Sequence, residues 1–503
     1  MAKQIFKAVH FTDYQSFTIA FSPKETELYK MVAGLSTLEV QELLGTASYA
    51  TLKQSAENEG RTINQYAKRI LQSKLDSSKQ EGKKFHTKDV TFSNSLSVPF
   101  QRWYPYIEGY SPNFVASLIE TYCKDATLIY EPFAGTGTTL FASDKYNINT
   151  VFSEVNPLLR FLIETKTTVM SLSVEARTEL AAALKEEAAD IFDKINKYKA
   201  STKLKNTYTR VFGSSVYFPE DQLKLILKLR TYIDQLYETG RKILADLMSV
   251  AVFASLLPVS YLKKQGDVRF KTDKEKETEM HILQDILPNK LNDIHEDLLN
   301  FEYKLTSAHS LITTNAKNIG ECNVEQKISA VITSPPYLNG TNYFRNTKLE
   351  LWFLKYLTTD TDLRLFRDEA LTSGINDVKK EYRKTAASLQ SVLLDKTLED
   401  LTNNAYDQRI PLMAKCYFAE MAQLFGGLTK HLANETNLLI DLGDSIFSGV
   451  HIQTDYILAD ILKAFGYELK DRIILRQRRS RNRAVLSQVL LVFKYTQREN
   501  EYN

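Results

Sequence analysis

The sequence predicts an α/β protein: a doubly wound sheet interrupted by two helical insertions and preceded by a mainly helical region. Three observations predict it. The stretch from Leu128 to Glu154 runs strand, glycine-rich turn, helix, strand, the opening unit of a doubly wound sheet. Strand patterning then returns at SAHSLITTNA, KISAVITSPPY, TNLLIDLGDS, ELKDRIILR and AVLSQVLLVFKY. The long segments between them carry helical spacing, and inserted helical layers are a better account of such lengths than structureless loops.

In chain order, residues 1–95 form the mainly helical region. Within it Thr51–Leu75 splits at Gly60 into two helical halves, with Thr62 placed to cap the second, and a Lys-rich linker follows over Ser77–Lys88. The α/β domain takes residues 96–172 and 306–503. Between these, 173–305 is a helical insertion, typified by ARTELAAALKEEAADIFDKI and QLKLILKLRTYIDQLY, and a candidate region for contacting or reading a target. A second helical insertion covers 343–407. TDYILADILKAFG is a helix between the last strands. No internal repeat is present.

At 503 residues the chain has room for two to four domains and a large core, and its 43% hydrophobic and 25% charged residues are ordinary for a globular protein. Its 64 Lys+Arg against 61 Asp+Glu leave +3, so net charge names no partner. A nucleic-acid surface would have to be a local cluster of cations. Cys123, Cys322 and Cys416 are far apart and form no CxxC pair, which argues against a disulfide framework or zinc site and fits a reducing compartment. The seven His residues show no metal-ligand spacing, so no metal is expected. The opening MAKQIFKAVHF lacks a signal-peptide run, and no stretch approaches the roughly 20 apolar residues that span a bilayer. The expectation is a soluble, cytoplasmic protein without a membrane partner.

Two motifs carry chemistry. In Glu131-Pro132-Phe133-Ala134-Gly135-Thr136-Gly137-Thr138 a strand ends in Gly-x-Gly, which lets backbone turn tightly and approach a ligand without Cβ interference. Glu154 ends the next strand, where a carboxylate suits the ribose hydroxyls of an adenosine-type cofactor. Taken alone, the pair is also compatible with a plain turn and a solvated carboxylate. The second motif is Thr333-Ser334-Pro335-Pro336-Tyr337, directly after a buried strand. Two prolines stiffen the backbone and remove two donors. A hydroxyl, a fixed carbonyl and an aromatic ring at a strand end make a clamp for a flat heterocycle bearing NH₂. The alternative is a Pro-Pro turn that merely ends the strand, and pairing with the glycine loop weighs against it.

On these residues the chain resembles the DNA amino-methyltransferases that make N4-methylcytosine or N6-methyladenine, on the class I S-adenosylmethionine-dependent methyltransferase fold. The resemblance covers roughly 102–157 and 309–495. Arg102-Trp103-Tyr104-Pro105-Tyr106 with Ser111-Pro112 is similar to the segment flanking the cofactor in that family, and GDSIFSGVHIQTD and RQRR…VLLVFKY to segments of one subgroup. The resemblance implies S-adenosylmethionine as cofactor, held by Tyr104, Glu131, Phe133, Gly135, Thr136, Gly137, Glu154 and Asn315. It makes Ser334, Pro335, Pro336 and Tyr337 the catalytic tetrapeptide. Two positions depart from the family pattern: Asn315 stands where Asp is usual near the cofactor adenine, and Gln453 where Pro is common.

The implied reaction is site-specific methylation of an exocyclic amine in DNA, within a restriction–modification or related defence system that would supply a cognate partner subunit. Ser rather than Asp at the first catalytic position points to cytosine N4; adenine N6, or an amino group in RNA, is the alternative. Ser334 and the Pro335 carbonyl would accept from the NH₂ while Tyr337 stacks on a base rotated out of the duplex. Two basic runs are candidates for phosphate contact. One is Arg476, Arg478, Arg479 and Arg481, expected in a loop between the last strands, and the other is the loop with Lys263, Lys264 and Arg269. Either would otherwise be a solvated loop. Thr51–Leu75 resembles the helices of ribbon-helix-helix DNA-binding proteins, a plain helical hairpin being the alternative.

Overall fold

The computed structural model describes residues 85, 89–106, 108–301, 303–338, 343–378, 389, 391–479 and 485–497. The chain divides into residues 1–86 and 87–503, and all the described helices and strands belong to the second unit. The expected helices of Thr51–Leu75 lie outside the described residues.

Eleven strands are described, in chain order β1 (Leu128–Glu131), β2 (Asn149–Ser153), β3 (Leu262–Gln265), β4 (Asp267–Phe270), β5 (His309–Thr313), β6 (Ile328–Thr333), β7 (Leu432–Gly443), β8 (Ser445–Phe447), β9 (Val450–Ile452), β10 (Tyr467–Arg479) and β11 (Val485–Tyr495). Seven build one sheet in the order β10-β11-β7-β6-β1-β2-β5. β5, β2, β1, β6 and β7 run parallel, and β11 enters antiparallel between β7 and β10. The order reverses between β1 and β6, giving the Rossmann-like doubly wound sheet of a class I methyltransferase. All four residues of β1 are buried, as expected for a parallel strand covered on both faces.

The helices that place the site are α1 (Pro112–Tyr122), α2 (Thr138–Asp144), α3 (Pro157–Met170), α4 (Lys242–Leu256), α5 (Leu283–Asn300), α6 (Arg409–Leu428) and α7 (Thr454–Leu462). Ser111 caps α1, its hydroxyl accepting from Phe114 N, and Asn156 caps α3 by accepting from Leu158 N; both helices begin with Pro. The core behind β1, β6 and β7 joins Tyr130, Val331 and Ile440 to Phe418 and Phe425 of α6 and Leu458 of α7. A second core unites Leu158 and Leu162 of α3 with Phe253 of α4, Leu291 and Leu298 of α5 and Trp352. The residues between α3 and β5 are therefore helical layers continuous with the domain, as are the short helices after β6.

One buried carboxylate ties the insertion to the segment before β1. Asp297 of α5 accepts from Phe100 N (2.8 Å), Trp103 Nε1 (2.8 Å) and Arg102 Nε (3.0 Å) and Nη2 (2.6 Å). It fixes the course of the chain into Tyr104–Glu108.

Two expectations about local structure are corrected. The arginine run is strand rather than loop: β10 pairs with β11 through Arg476↔Gln488, Arg478↔Leu486 and Arg479↔Val485. The outer edge of a sheet accepts charged residues without burying them, which apolar patterning does not register. Arg481 lies outside the described residues. The basic stretch with Lys263, Lys264 and Arg269 is the β3–β4 hairpin, turning at Gly266, whose φ of +77° favours glycine.

Candidate active site

The carboxyl ends of β1, β2, β6 and β7 open on a cavity of about 680 Å³ at the topological switch point. That is where open α/β sheets bind ligands, and the volume falls within the roughly 300–1,000 Å³ of small-molecule sites. Its floor is the β1–α2 loop, Phe133 to Thr136, with Glu154 beyond β2 and Asn315 beyond β5. Ser334–Tyr337 and Asp441 form the opposite wall, and Arg476, Arg478 and Gln488 carry that wall toward the sheet edge. Tyr106, Glu108 and Lys264 close it from the side of the first insertion.

The glycine loop is held from below. Gly135 has φ +56°, and a Cβ there would stand 3.3 Å from Tyr106 Cε1, so the loop leaves a cradle under that ring. Gly137 has φ +86° but faces the core, where a Cβ would lie 2.7 Å from Phe141 and 3.1 Å from Ile163. Glu154 receives Gly135 N on one oxygen and Asn156 N on the other, each at 2.8 Å, and burial pushes its carboxyl up to about 7. Lys166 of α3 donates to the Thr136 carbonyl at 3.2 Å, and burial brings its ammonium down to about 7.

Glu131 lies beneath the loop and does not line the cavity. Its carboxylate accepts from Thr333 Oγ1 (2.6 Å), Thr139 Oγ1 (2.8 Å), Phe133 N (3.1 Å) and the Tyr110 hydroxyl, joining β1, α2, β6 and the segment before α1. Burial lifts it to about 7. Tyr104 is likewise interior, donating to Glu350 Oε1 at 3.1 Å and packing edge-on to Phe253. Tyr106, two residues on, takes the cavity position. The Asn315 side chain accepts from Lys317 N at 3.1 Å and lines the cavity. Gln453 precedes α7 without capping it.

At the other end Ser334 is half-buried and Pro335 buried. Tyr337 donates to Asp441 Oδ1 at 3.1 Å, and Asp441 also accepts from Gln488 Nε2 at 2.7 and 2.8 Å. Arg476 Nε in turn donates to Gln488 Oε1 at 2.5 Å. Burial raises Asp441 to about 7. Sequence reasoning missed Asp441. The signal was an acid set among apolar strand residues two positions before Gly443, in LLIDLG.

The basic residues separate into two kinds. Lys263 pairs with Glu275 (3.1 Å) and Glu279 (2.7 Å), and Arg269 with Glu275 (2.7 Å). Lys264 pairs with Glu108 at 2.6 Å. Arg476, Arg478 and Arg479 are exposed along β10, the first two at the cavity rim. Cys123, Cys322 and Cys416 are unbridged, and among the described residues no His, Cys, Asp and Glu cluster could hold a metal. No described helix is long and apolar enough to cross a membrane.

No family model matches the chain. It is 24% identical over 469 residues to the type II methyltransferase M.BsoBI of Geobacillus stearothermophilus, a match covering 83% of this chain and 89% of that one. It is 26% identical over 420 residues to the type II methyltransferase M.AvaI of a Nostoc strain, covering 77% and 83%. Among solved structures, an rRNA methyltransferase of Streptomyces viridochromogenes aligns over 82% of the chain at 9% identity and a TM-score of 0.29, too low to carry an argument. Over most of its length the chain is therefore similar to proteins named type II methyltransferases, and its doubly wound sheet suits S-adenosylmethionine, the methyl donor such enzymes use. The residues fit that cofactor: the Gly135 cradle admits close backbone approach, and Glu154 and Asn315 line the same cavity with a carboxylate and an amide able to meet ribose hydroxyls and a base amine.

Proposed function

We propose that this chain is a site-specific DNA amino-methyltransferase that modifies cytosine N4 and works in a restriction–modification system beside a cognate endonuclease. The observation that carries it is the continuous cavity connecting the Gly135 cradle to the Ser334–Tyr337 clamp. The bound cofactor supplies a methyl group on an electrophilic sulfonium. An aromatic amine is a weak nucleophile because its lone pair is delocalised into the ring. The Ser334 hydroxyl and Pro335 carbonyl accept hydrogen bonds from its two N–H groups and turn the lone pair out of conjugation. Tyr337, its hydroxyl anchored on Asp441, offers a ring face for the extruded base. The gain comes from positioning and fixed dipoles; the methylated nitrogen is cationic and acidic and releases one proton to water after transfer, so no strong base is required beforehand.

Ser334 in place of Asp favours cytosine over adenine. The test is mass spectrometry of nucleosides from DNA incubated with the protein and cofactor. N4-methylcytosine is expected, with its yield reduced in Ser334→Ala; N6-methyladenine alone would overturn the choice of base, and label in RNA only the choice of nucleic acid.

Phosphate contact is proposed for the exposed arginines of β10, continued by Arg481. Lys263 and Arg269 are already neutralised by Glu275 and Glu279, which makes them weaker partners for phosphate. Arg478→Ala with Arg479→Ala should weaken DNA binding across sequences and reduce the salt slope by roughly one unit per lost contact. A slope equal to that of the wild type would remove β10 from the interface.

A further inference from the structure

The cofactor carries an α-ammonium and an α-carboxylate at the end remote from its adenine, and a cavity that takes this zwitterion needs charges for both. Several charged groups facing the cavity are committed elsewhere. Glu154 is satisfied by two backbone amides, and Asp441 by Tyr337 and Gln488. Asp444 holds His451 Nε2 (2.6 Å) and Ser487 N (2.7 Å), and Lys317 reaches Ala370 O (2.7 Å) and Glu420 (3.3 Å). Glu131, the acid of the glycine-loop motif, is saturated by four donors below the floor.

Glu108 and Lys264 differ. They form an opposite-charge pair at 2.6 Å, both line the cavity, and their side chains are only 14% and 19% exposed. Glu108 Oε2 is shut off from water with no donor among the described residues, a costly state for a carboxylate oxygen. The terminal torsion of Glu is broad and two-fold, so its oxygens exchange places cheaply and either can meet an incoming cation. The pair also sits at the correct end. Glu108 belongs to a turn closed by Gly109 N on Tyr106 O (3.2 Å), and the Tyr106 ring covers Gly135. Lys264 comes from the β3–β4 hairpin, held in place where Asn346 Oδ1 accepts from Val268 N at 2.9 Å.

We propose that Glu108 and Lys264 recognise the amino-acid zwitterion of S-adenosylmethionine, Glu108 accepting from the ammonium and Lys264 donating to the carboxylate. This rests on the methyltransferase reading of the cavity. It assigns Lys264 to the cofactor rather than to DNA and makes the first insertion a supplier of cofactor contacts.

The test compares two ligands by calorimetry, without turnover: S-adenosylhomocysteine, which keeps the amino-acid moiety, and 5′-methylthioadenosine, which lacks it. Glu108→Gln and Lys264→Met should each raise the Kd for S-adenosylhomocysteine about ten- to a hundredfold, the range expected for a lost charged hydrogen bond. The Kd for 5′-methylthioadenosine should stay within about twofold of wild type. Parallel weakening of both ligands would mean a structural role and overturn the assignment, as would unchanged S-adenosylhomocysteine binding. A wild-type protein that binds neither ligand overturns the methyltransferase reading along with it.

Discussion

Gly443→Ala should lower turnover about a hundredfold or more while cofactor affinity stays within about twofold. A Cβ at Gly443 would stand 2.9 Å from Tyr337 Cδ2 and 3.0 Å from Cε2, closer than real side chains approach. The ring has little freedom to yield, because its hydroxyl is tied to Asp441 at 3.1 Å and Asp441 to Gln488. The added methyl therefore tilts the ring off the plane on which the base stacks or breaks the Tyr337–Asp441 bond. Displacements near 1 Å at a reacting centre cost on the order of a hundredfold. The three atoms nearest the added methyl all belong to Tyr337 and none to the Gly135 cradle. Single-turnover kinetics with S-adenosylhomocysteine calorimetry check this; wild-type turnover would show that Tyr337 does not position the acceptor.

Glu131→Ala should be among the most destabilising single changes, by about 3–5 kcal/mol, since it removes the shared acceptor of three hydroxyls and a backbone amide at one buried site. The same carboxyl makes stability depend on pH. Its folded value, about 7, lies above the ordinary 4.5, so the folded chain holds this proton more tightly than the unfolded chain. The associated stability is fully present below about 4.5 and is lost as pH rises through 7, a change on the order of 3 kcal/mol. Glu154, Glu350 and Asp441, each also lifted to about 7 by burial, act in the same direction. The melting temperature should therefore fall between pH 5 and 8, less steeply in Glu131→Gln than in wild type. Equal slopes in the two proteins would place the pH dependence elsewhere.

Much of this architecture was legible because parallel strands buried on both faces write themselves as apolar runs. β1, β6 and β7 left such runs, and the turns at Gly135 and Pro335 marked where β1 and β6 end. What escaped was set by distance in sequence. Asp441 meets Tyr337 from 104 residues away, and nothing local to either announces the pairing. Tyr104 and Tyr106 look equivalent in WYPY, and only the packing of α4 and Glu350 decides that the first goes inward. Arg476 to Arg479 carry no apolar alternation, so strand character there comes wholly from hydrogen bonds to β11. The ion pairs that occupy Lys263 and Arg269 were equally invisible, because Glu275 and Glu279 lie beyond the hairpin.

The anchorage of Phe100, Arg102 and Trp103 on Asp297 bears on how such enzymes can be recombined. A chimera that exchanges residues 173–305 between relatives would remove the peg on which the Tyr104–Glu108 segment hangs. The insertion and the segment that lines the cavity are mechanically geared through this one aspartate. A working graft has to carry both meshing surfaces, the helix bearing Asp297 and the stretch from Phe100 to Glu108, as a single cassette.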